Sequence, residues 1–374
     1  MDLLDAGRIL LGLVLLVGGG ELLVRGASSL AARLGLSPLV IGLTVVSVAT
    51  SSPELAVTVG ATLDGQPDLA VGNVVGSNIA NVLLILGISA LVLPLSVREQ
   101  LVRFDVPFLV VLSGLLLVLA FDGGLSTLEG VVLLTAMVVH TALTVVISRR
   151  RTRAARSEGD SGERTDDGSA GKPPARLLVS LLLVLGGVGL LVVGADQLVT
   201  GAVSVAEALG VSGLVVGLTV VAVGTSLPEL AASVIAAVKG ERDLAVGNVV
   251  GSCIANIGLV LGLPAVISSG GLPVPGAALA LDIPLMLAAS VALLPVVLTD
   301  FCVARWEGAL FIALYAAYVG YVVLDAINHD ALEGFTLVMV VFVLPLVLVT
   351  LVSTVVFEAG VRRGRREEAE ARSA

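Results

Sequence analysis

Two sets of oxygen-bearing residues carry the chemistry open to this chain. Thr50, Ser51 and Glu54 form one, and Thr225, Ser226 and Glu229 form the other. On a helix, neighbours three and four apart share a face, so each set presents two hydroxyls and a carboxylate together. Downstream, Asn73, Ser77 and Asn81 recur in steps of four, as do Asn248, Ser252 and Asn256. Pro53 and Pro228 adjoin the glutamates; each removes an N–H and frees a carbonyl one turn earlier, near Ala49 and Gly224. Carboxylates, hydroxyls, amides and carbonyls, with no His or Cys among them, select hard cations. A flexible cluster of this kind suits Ca²⁺, which takes about 6–8 oxygens at ~2.3–2.6 Å, and Na⁺ competes for the same atoms. Mg²⁺ prefers a tighter octahedron and keeps its water, while Zn²⁺, Cu²⁺ and Fe²⁺ normally bring imidazole or thiolate.

The elements that position these residues lie in a membrane. The 374 residues are 57% hydrophobic and 14% charged, with a mean hydropathy of +1.07, which excludes a soluble globular domain. Long apolar runs such as 106–120, 131–147 and 177–193 approach or reach the ~20 residues a helix needs to cross the hydrocarbon core. They are too long for strands and do not alternate apolar with polar. An all-α polytopic protein of eleven spans is expected, at roughly 7–25, 37–63, 69–93, 104–121, 126–148, 176–199, 212–238, 244–267, 279–299, 306–327 and 335–358. The leader MDLLDAG is acidic and no A-x-A site follows, so the first run is read as a retained helix. Cys253 and Cys302 give no disulfide framework.

Basic residues set the orientation. With the N-terminus outside, Arg25, Arg33, Arg98, Arg103, the run from Arg149 to Arg176, Lys239, Arg242, Arg305 and the tail from Arg362 all fall in the cytoplasm. Of 21 Lys and Arg only Arg8 then lies on the wrong side. A cell-membrane protein with a cytoplasmic linker and C-terminus follows. The net charge of −9 does not speak for nucleic acid, because its acidic part sits mainly in the outer loops.

The stretch DLAVGNVVGS occurs twice, at Asp68–Ser77 and again 175 positions later at Asp243–Ser252. Around it, LVIGLTVVSVATSSPELAVTV (39–59) aligns with LVVGLTVVAVGTSLPELAASV (214–234), and ANVLLILG (80–87) with ANIGLVLG (255–262). Each repeat is a five-helix unit: residues 1–148 form the first and 176–328 the second, joined by a polar linker, 149–175. Residues 329–374 add a peripheral helix and a basic tail. Five is odd, so the second unit enters the membrane from the other side and the repeats are inverted, the pattern that points to a transporter's central binding site.

ATSSPE (49–54) and GTSLPE (224–229), each followed by GNVVGSxIAN (72–81 and 247–256), resemble the two α-repeats of the sodium/calcium exchanger family, prokaryotic type, within the cation/calcium antiporter superfamily. The resemblance covers all ten paired helices. It implies a five-plus-five inverted fold in which a helix diamond holds cations while the first and sixth helices slide. The implied ligands are Thr50, Ser51, Glu54, Ser77 and Asn81, with Thr225, Ser226, Glu229, Ser252 and Asn256, and carbonyls near Ser47 and Ala222. Members of the family often carry Asp where this chain has Asn256, which removes one carboxylate and bears on sodium stoichiometry. The linker is too short for the regulatory calcium-binding domains of animal exchangers, so no such regulation is expected.

The expected function is therefore secondary antiport of Na⁺ against Ca²⁺ by alternating access, normally extruding Ca²⁺. A proton/calcium exchanger is the alternative, because a buried Glu can trade a proton for a cation; a cation channel is further off, since paired buried Glu favours occlusion over fast conduction. An enzyme is not expected: an intramembrane protease needs a Ser–His or paired-Asp centre, and neither is duplicated. The partners are the two ions and the bilayer, with no cofactor and no protein partner implied.

Other polar residues are assigned milder roles. Asn73 and Asn248 are read as packing residues beside the ligands. Glu21 pairs with Arg25 at i,i+4, and its equivalent Asp196 has no such partner. Asp105, Asp282, Glu129 and Glu307 are expected to cap helices. His140 and His329 are read as a helix and a loop residue without equivalents.

Overall fold

A computed structural model describes residues 3–159, 174–209, 216, 219–220, 222–299, 301–354 and 356. The helices are α1 (Leu3–Leu34), α2 (Pro38–Thr50), α3 (Ser52–Leu63), α4 (Pro67–Val92), α5 (Leu101–Asp122), α6 (Thr127–Gly159), α7 (Pro174–Ala208), α8 (Leu227–Val238), α9 (Arg242–Ile267), α10 (Ala278–Leu298), α11 (Arg305–Ala326) and α12 (Ala331–Thr354). Among the described residues nine helices are long and apolar enough to cross a membrane, and α2 with α3 makes a tenth, bent by 44°. The remaining expected span, 212–238, is described mainly at α8; most of its first half lies outside the described residues, as do 160–173 of the linker and the basic tail from 357. Helix α6 runs on to Gly159, well into the segment expected to be linker. Helix α12 is peripheral as expected, with Leu351 its one buried residue among those described.

Inverted symmetry is visible in what touches what. Two short antiparallel ladders tie the halves: Leu95–Ser96 (β1) pairs with Cys302–Val303 (β4), and Gly124–Leu125 (β2) with Leu272–Pro273 (β3). Each ladder joins the loop after the third helix of one repeat to the loop after the fourth helix of the other. One crossing separates β1 from β2, so the ladders lie at opposite ends of the bundle.

Helix contacts repeat the exchange. A β-carbon at Gly130 on α6 would sit 2.8 Å from the Gly262 carbonyl of α9, and one at Gly87 on α4 would sit 2.9 Å from the Gly308 carbonyl of α11. In lipid, helices gain no hydrophobic drive towards each other, so backbones meet where side chains are small. The longest such seam joins α1 to α7: Gly12, Gly19 and Gly26 step by seven and lie against Gly194, Gly187 and Ser180–Val184.

Helix capping accounts for only one of the two acidic pairs. Glu129 takes hydrogen bonds from the Ser126 N–H (2.7 Å) and hydroxyl (2.8 Å), and Glu307 takes the Ala304 N–H (2.7 Å), so these two are caps. The expectation fails for Asp105 and Asp282, whose side chains cap nothing. Both end a widened π-helical turn that carries them into the bundle, Leu101–Asp105 and Ala278–Asp282. Asp105 there meets His140 Nε2 (3.0 Å) and the Thr144 hydroxyl (3.1 Å), and Asp282 accepts from the Tyr318 hydroxyl (3.2 Å). His140 therefore does have an equivalent, Tyr318, and its ring is stacked on Phe104 and Phe108.

Candidate functional site

The site forms where the second helix of each repeat breaks. Ser51 (φ −80°, ψ 8°) and Ser226 (φ −91°, ψ 6°) leave helical geometry at equivalent positions, and α3 and α8 restart immediately after them. Pro53 and Pro228 sit in the first turn of the new helices, where a missing N–H costs nothing. Each restart carries its glutamate, buried, in the first turn. Opposite, α4 and α9 both open into π-turns at the predicted ligands, Ala80–Ile85 with Asn81 and Asn256–Leu261 with Asn256. Such turns are rare and concentrate at functional sites.

All ten predicted ligands belong to these elements, and nine are buried; Thr225 is half-buried. The two motifs are cross-braced. The Ser51 hydroxyl donates to Glu229 Oε1 (3.0 Å), and the Ser226 hydroxyl donates to Glu54 Oε1 (3.2 Å). Each serine thus holds the carboxylate of the other repeat. Thr50 points its hydroxyl to the Ser47 carbonyl (3.3 Å) and to Asn248 Oδ1 (3.2 Å). The Ser47 carbonyl, implied as a ligand, also accepts the Ser51 N–H at 2.9 Å, so both its lone pairs are engaged here.

What remains unpaired is decisive for the chemistry. Among the described residues, eight buried side-chain oxygens have no hydrogen-bond partner. Six of them are Glu54 Oε2, Ser77 Oγ, Asn81 Oδ1, Glu229 Oε2, Ser252 Oγ and Asn256 Oδ1, three symmetric pairs taken wholly from the predicted ligands. Buried polar atoms are almost always satisfied, since an orphan costs roughly 1–3 kcal/mol. Six acceptors on helices that touch one another, two of them carboxylate, fit a hard cation of about six-fold coordination. No group of three or more His, Cys, Asp or Glu occurs among the described residues, so the charge comes from two carboxylates and the rest from neutral oxygens.

A profile of the family described as "Sodium/calcium exchanger protein" matches residues 5–146 and 179–324. The chain belongs to the sodium/calcium exchanger family. It is similar to the inner membrane protein YrbG of Escherichia coli, 40% identical over 72% of this chain and 81% of that one. It is also similar to the sodium/calcium exchanger MaX1 of Methanosarcina acetivorans, 34% identical over 83% of this chain and 96% of that one. Its fold matches a solved structure of the sodium-calcium exchanger NCX_Mj soaked with 10 mM Na⁺ and zero Ca²⁺. That match has a TM-score of 0.71 and 32% identity, over 86% of this chain and 99% of that one. The chain is thus a multi-pass membrane transporter of the cation/calcium antiporter type, in a family whose ions are Na⁺ and Ca²⁺.

Within that exchanger frame, several residues have roles that reading the sequence did not assign. Asn73 donates to the Glu54 carbonyl (3.2 Å) and the Thr58 hydroxyl (2.9 Å); Asn248 donates to the Glu229 carbonyl (3.4 Å) and the Ser233 hydroxyl (3.0 Å). These asparagines brace the turns that carry the glutamates. Thr58 and Ser233 were detectable, being equivalent hydroxyls one turn beyond Glu54 and Glu229. Glu21 bonds Arg25 as expected and also Lys239 at 3.0 Å, tying α1 to the end of α8. Asp196 is exposed, beside Gln197 (3.1 Å), and away from the cage.

Proposed function

We propose that the chain exchanges Na⁺ for Ca²⁺ by alternating access and normally extrudes Ca²⁺. Thr50, Ser51, Glu54, Ser77, Asn81, Thr225, Ser226, Glu229, Ser252 and Asn256 form the shared cage. The six unpartnered buried oxygens carry this reading. Residues 1–148 and 176–328 each supply half of the cage, with the N-terminus outside and 149–175 and the C-terminus in the cytoplasm. Two ionised glutamates balance one Ca²⁺ or two Na⁺, and a third Na⁺ would leave one positive charge. With Asn256 neutral, there is no further carboxylate to offset it.

A proton-coupled reading has its own support, since Glu54 Oε2 and Glu229 Oε2 are free to hold protons as well as cations. The hydroxyl-rich lining favours sodium, because a proton needs only the carboxylates and leaves the serines and asparagines without a task. The test is ⁴⁵Ca²⁺ uptake into proteoliposomes under a Na⁺ gradient alone or a pH gradient alone. The expected outcome is uptake driven by Na⁺; uptake driven only by pH, with Na⁺ inert, replaces this reading with the proton one.

A further inference from the structure

The repeated motif GNVVGSxIAN differs between the halves at one letter, Asn78 against Cys253. Both residues are buried, at 2% and 1% exposure, and neither is among the proposed ligands. They meet across the pseudo-two-fold axis. Asn78 Nδ2 donates to the Cys253 carbonyl (3.3 Å), and Cys253 Sγ lies 3.9 Å from the Asn78 carbonyl as its donor. Asn78 also accepts from a ligand asparagine of the opposite repeat: Asn256 Nδ2 donates to Asn78 Oδ1 at 3.1 Å.

The donor–acceptor logic runs in one direction. A backbone carbonyl only accepts, so the carbonyl of Cys253 fixes the Asn78 amide with its nitrogen outward and its oxygen towards Asn256. Met286 Sδ, 3.4 Å from Asn78 Nδ2, takes the other hydrogen. Facing an acceptor, Asn256 must offer its nitrogen, which leaves Asn256 Oδ1 aimed into the cage as one of the unpartnered oxygens. Without that constraint an amide can rotate and present N–H groups, which repel a cation.

We propose that position x of the motif is a positioning site in the first repeat, at which Asn78 orients the ion-facing oxygen of Asn256. The second repeat has no equal device, because an amide oxygen is a strong acceptor and the thiol at Cys253 a weak one. Asn256 is therefore better preorganised than its counterpart Asn81. This is also why a neutral amide serves at 256: a carboxylate there would turn its acceptor towards Asn78 Oδ1, and the two oxygens would repel.

This inference rests on the cage reading above, and the variants are chosen to separate the two. Na⁺-dependent ⁴⁵Ca²⁺ exchange is measured against Ca²⁺ concentration for Asn78→Leu, Asn78→Cys, Asn256→Ala and the double variant Asn78→Leu/Asn256→Ala, each shown to be folded by size-exclusion chromatography. Asn78→Leu is expected to raise the half-saturating Ca²⁺ concentration about tenfold, with a much smaller change in maximal rate. Asn78→Cys, which keeps a weak acceptor, recovers most of the loss. The double variant is expected to be no worse than Asn256→Ala, since Asn78 has nothing left to orient. If Asn256→Ala weakens exchange while Asn78→Leu does not, or if the two losses multiply, the positioning role is overturned and the cage stands. If Asn256→Ala itself leaves Ca²⁺ dependence unchanged, both readings fail at this residue.

Discussion

Gly247 and Gly251 press on α2: a β-carbon would lie 2.6 Å from the Leu39 carbonyl oxygen at the first and 2.6 Å from Leu43 Cα at the second. At the equivalent places in the first repeat, Gly72 is exposed and Gly76 half-buried. The same contrast runs along the neighbouring helices. Helix α8 is covered by α1, where Gly20 meets Ile235, and the Lys239–Glu21 pair closes that end. In α3, the counterpart of α8, Ala56 and Val57 are exposed. The segment equivalent to Leu39–Leu43 is 214–218, of which the structure describes only Val216, so this packing on the motif is described for one repeat.

The comparison breaks most severely at the glutamates, where the two halves should behave alike despite their surroundings. Glu54→Gln or Glu229→Gln keeps size and one acceptor but removes a charge, leaving a dehydrated Ca²⁺ half compensated. Breaking a buried ionic arrangement on one side costs about 3–5 kcal/mol, a factor of 10² or more. Calcium flux in either folded variant is expected at background, and the double variant no worse. A folded Glu229→Gln protein exchanging near the wild-type rate would show that the cage lies elsewhere.

Glycine substitution should separate the halves. Gly247→Leu places a side chain against the backbone of α2, and overpacking of this kind costs about 1–3 kcal/mol, so thermal stability in detergent should fall. A β-carbon at Gly72 meets no described residue within 4 Å, so Gly72→Leu should cost less. Equal losses of thermal stability in the two variants would mean that Gly72 is packed as closely as Gly247.

Chemistry was more legible in the letters than surroundings were. Apolar runs of near-membrane length gave away the helices, and exact repetition gave away the inversion. The six unpaired oxygens fall on residues singled out from spacing alone, because ligands must repeat in type and place when two half-sites form one cage. Packing escaped. The Gly12–Gly19–Gly26 seam looks like ordinary apolar helix until α7 lies against it. Asp105 and Asp282 resemble caps because both precede a helix rich in apolar residues, but a π-turn rotates them inward onto His140 and Tyr318. Register changes of that kind have no local signature.

A milder test falls on the asparagines that brace the glutamate turns. Asn248 is buried and engaged three ways: it accepts from Thr50 and donates to the Glu229 carbonyl and to Ser233. Asn73 makes the two equivalent donations and no third bond. Removing Asn248 strands the buried Ser233 hydroxyl, frees the carbonyl behind Glu229 and leaves Thr50 only the Ser47 carbonyl, at about 1–3 kcal/mol. Removing Asn73 strands the buried Thr58 hydroxyl and frees the carbonyl behind Glu54, so the cost is smaller by one bond. Asn248→Ala should therefore lower the melting temperature and weaken apparent Ca²⁺ affinity more than Asn73→Ala does, as read by thermal unfolding with and without Ca²⁺. Saturating Ca²⁺, which holds the cage from within, should narrow the gap between the two variants. Equal losses at both positions would mean that the bond between Thr50 and Asn248 adds nothing to the brace.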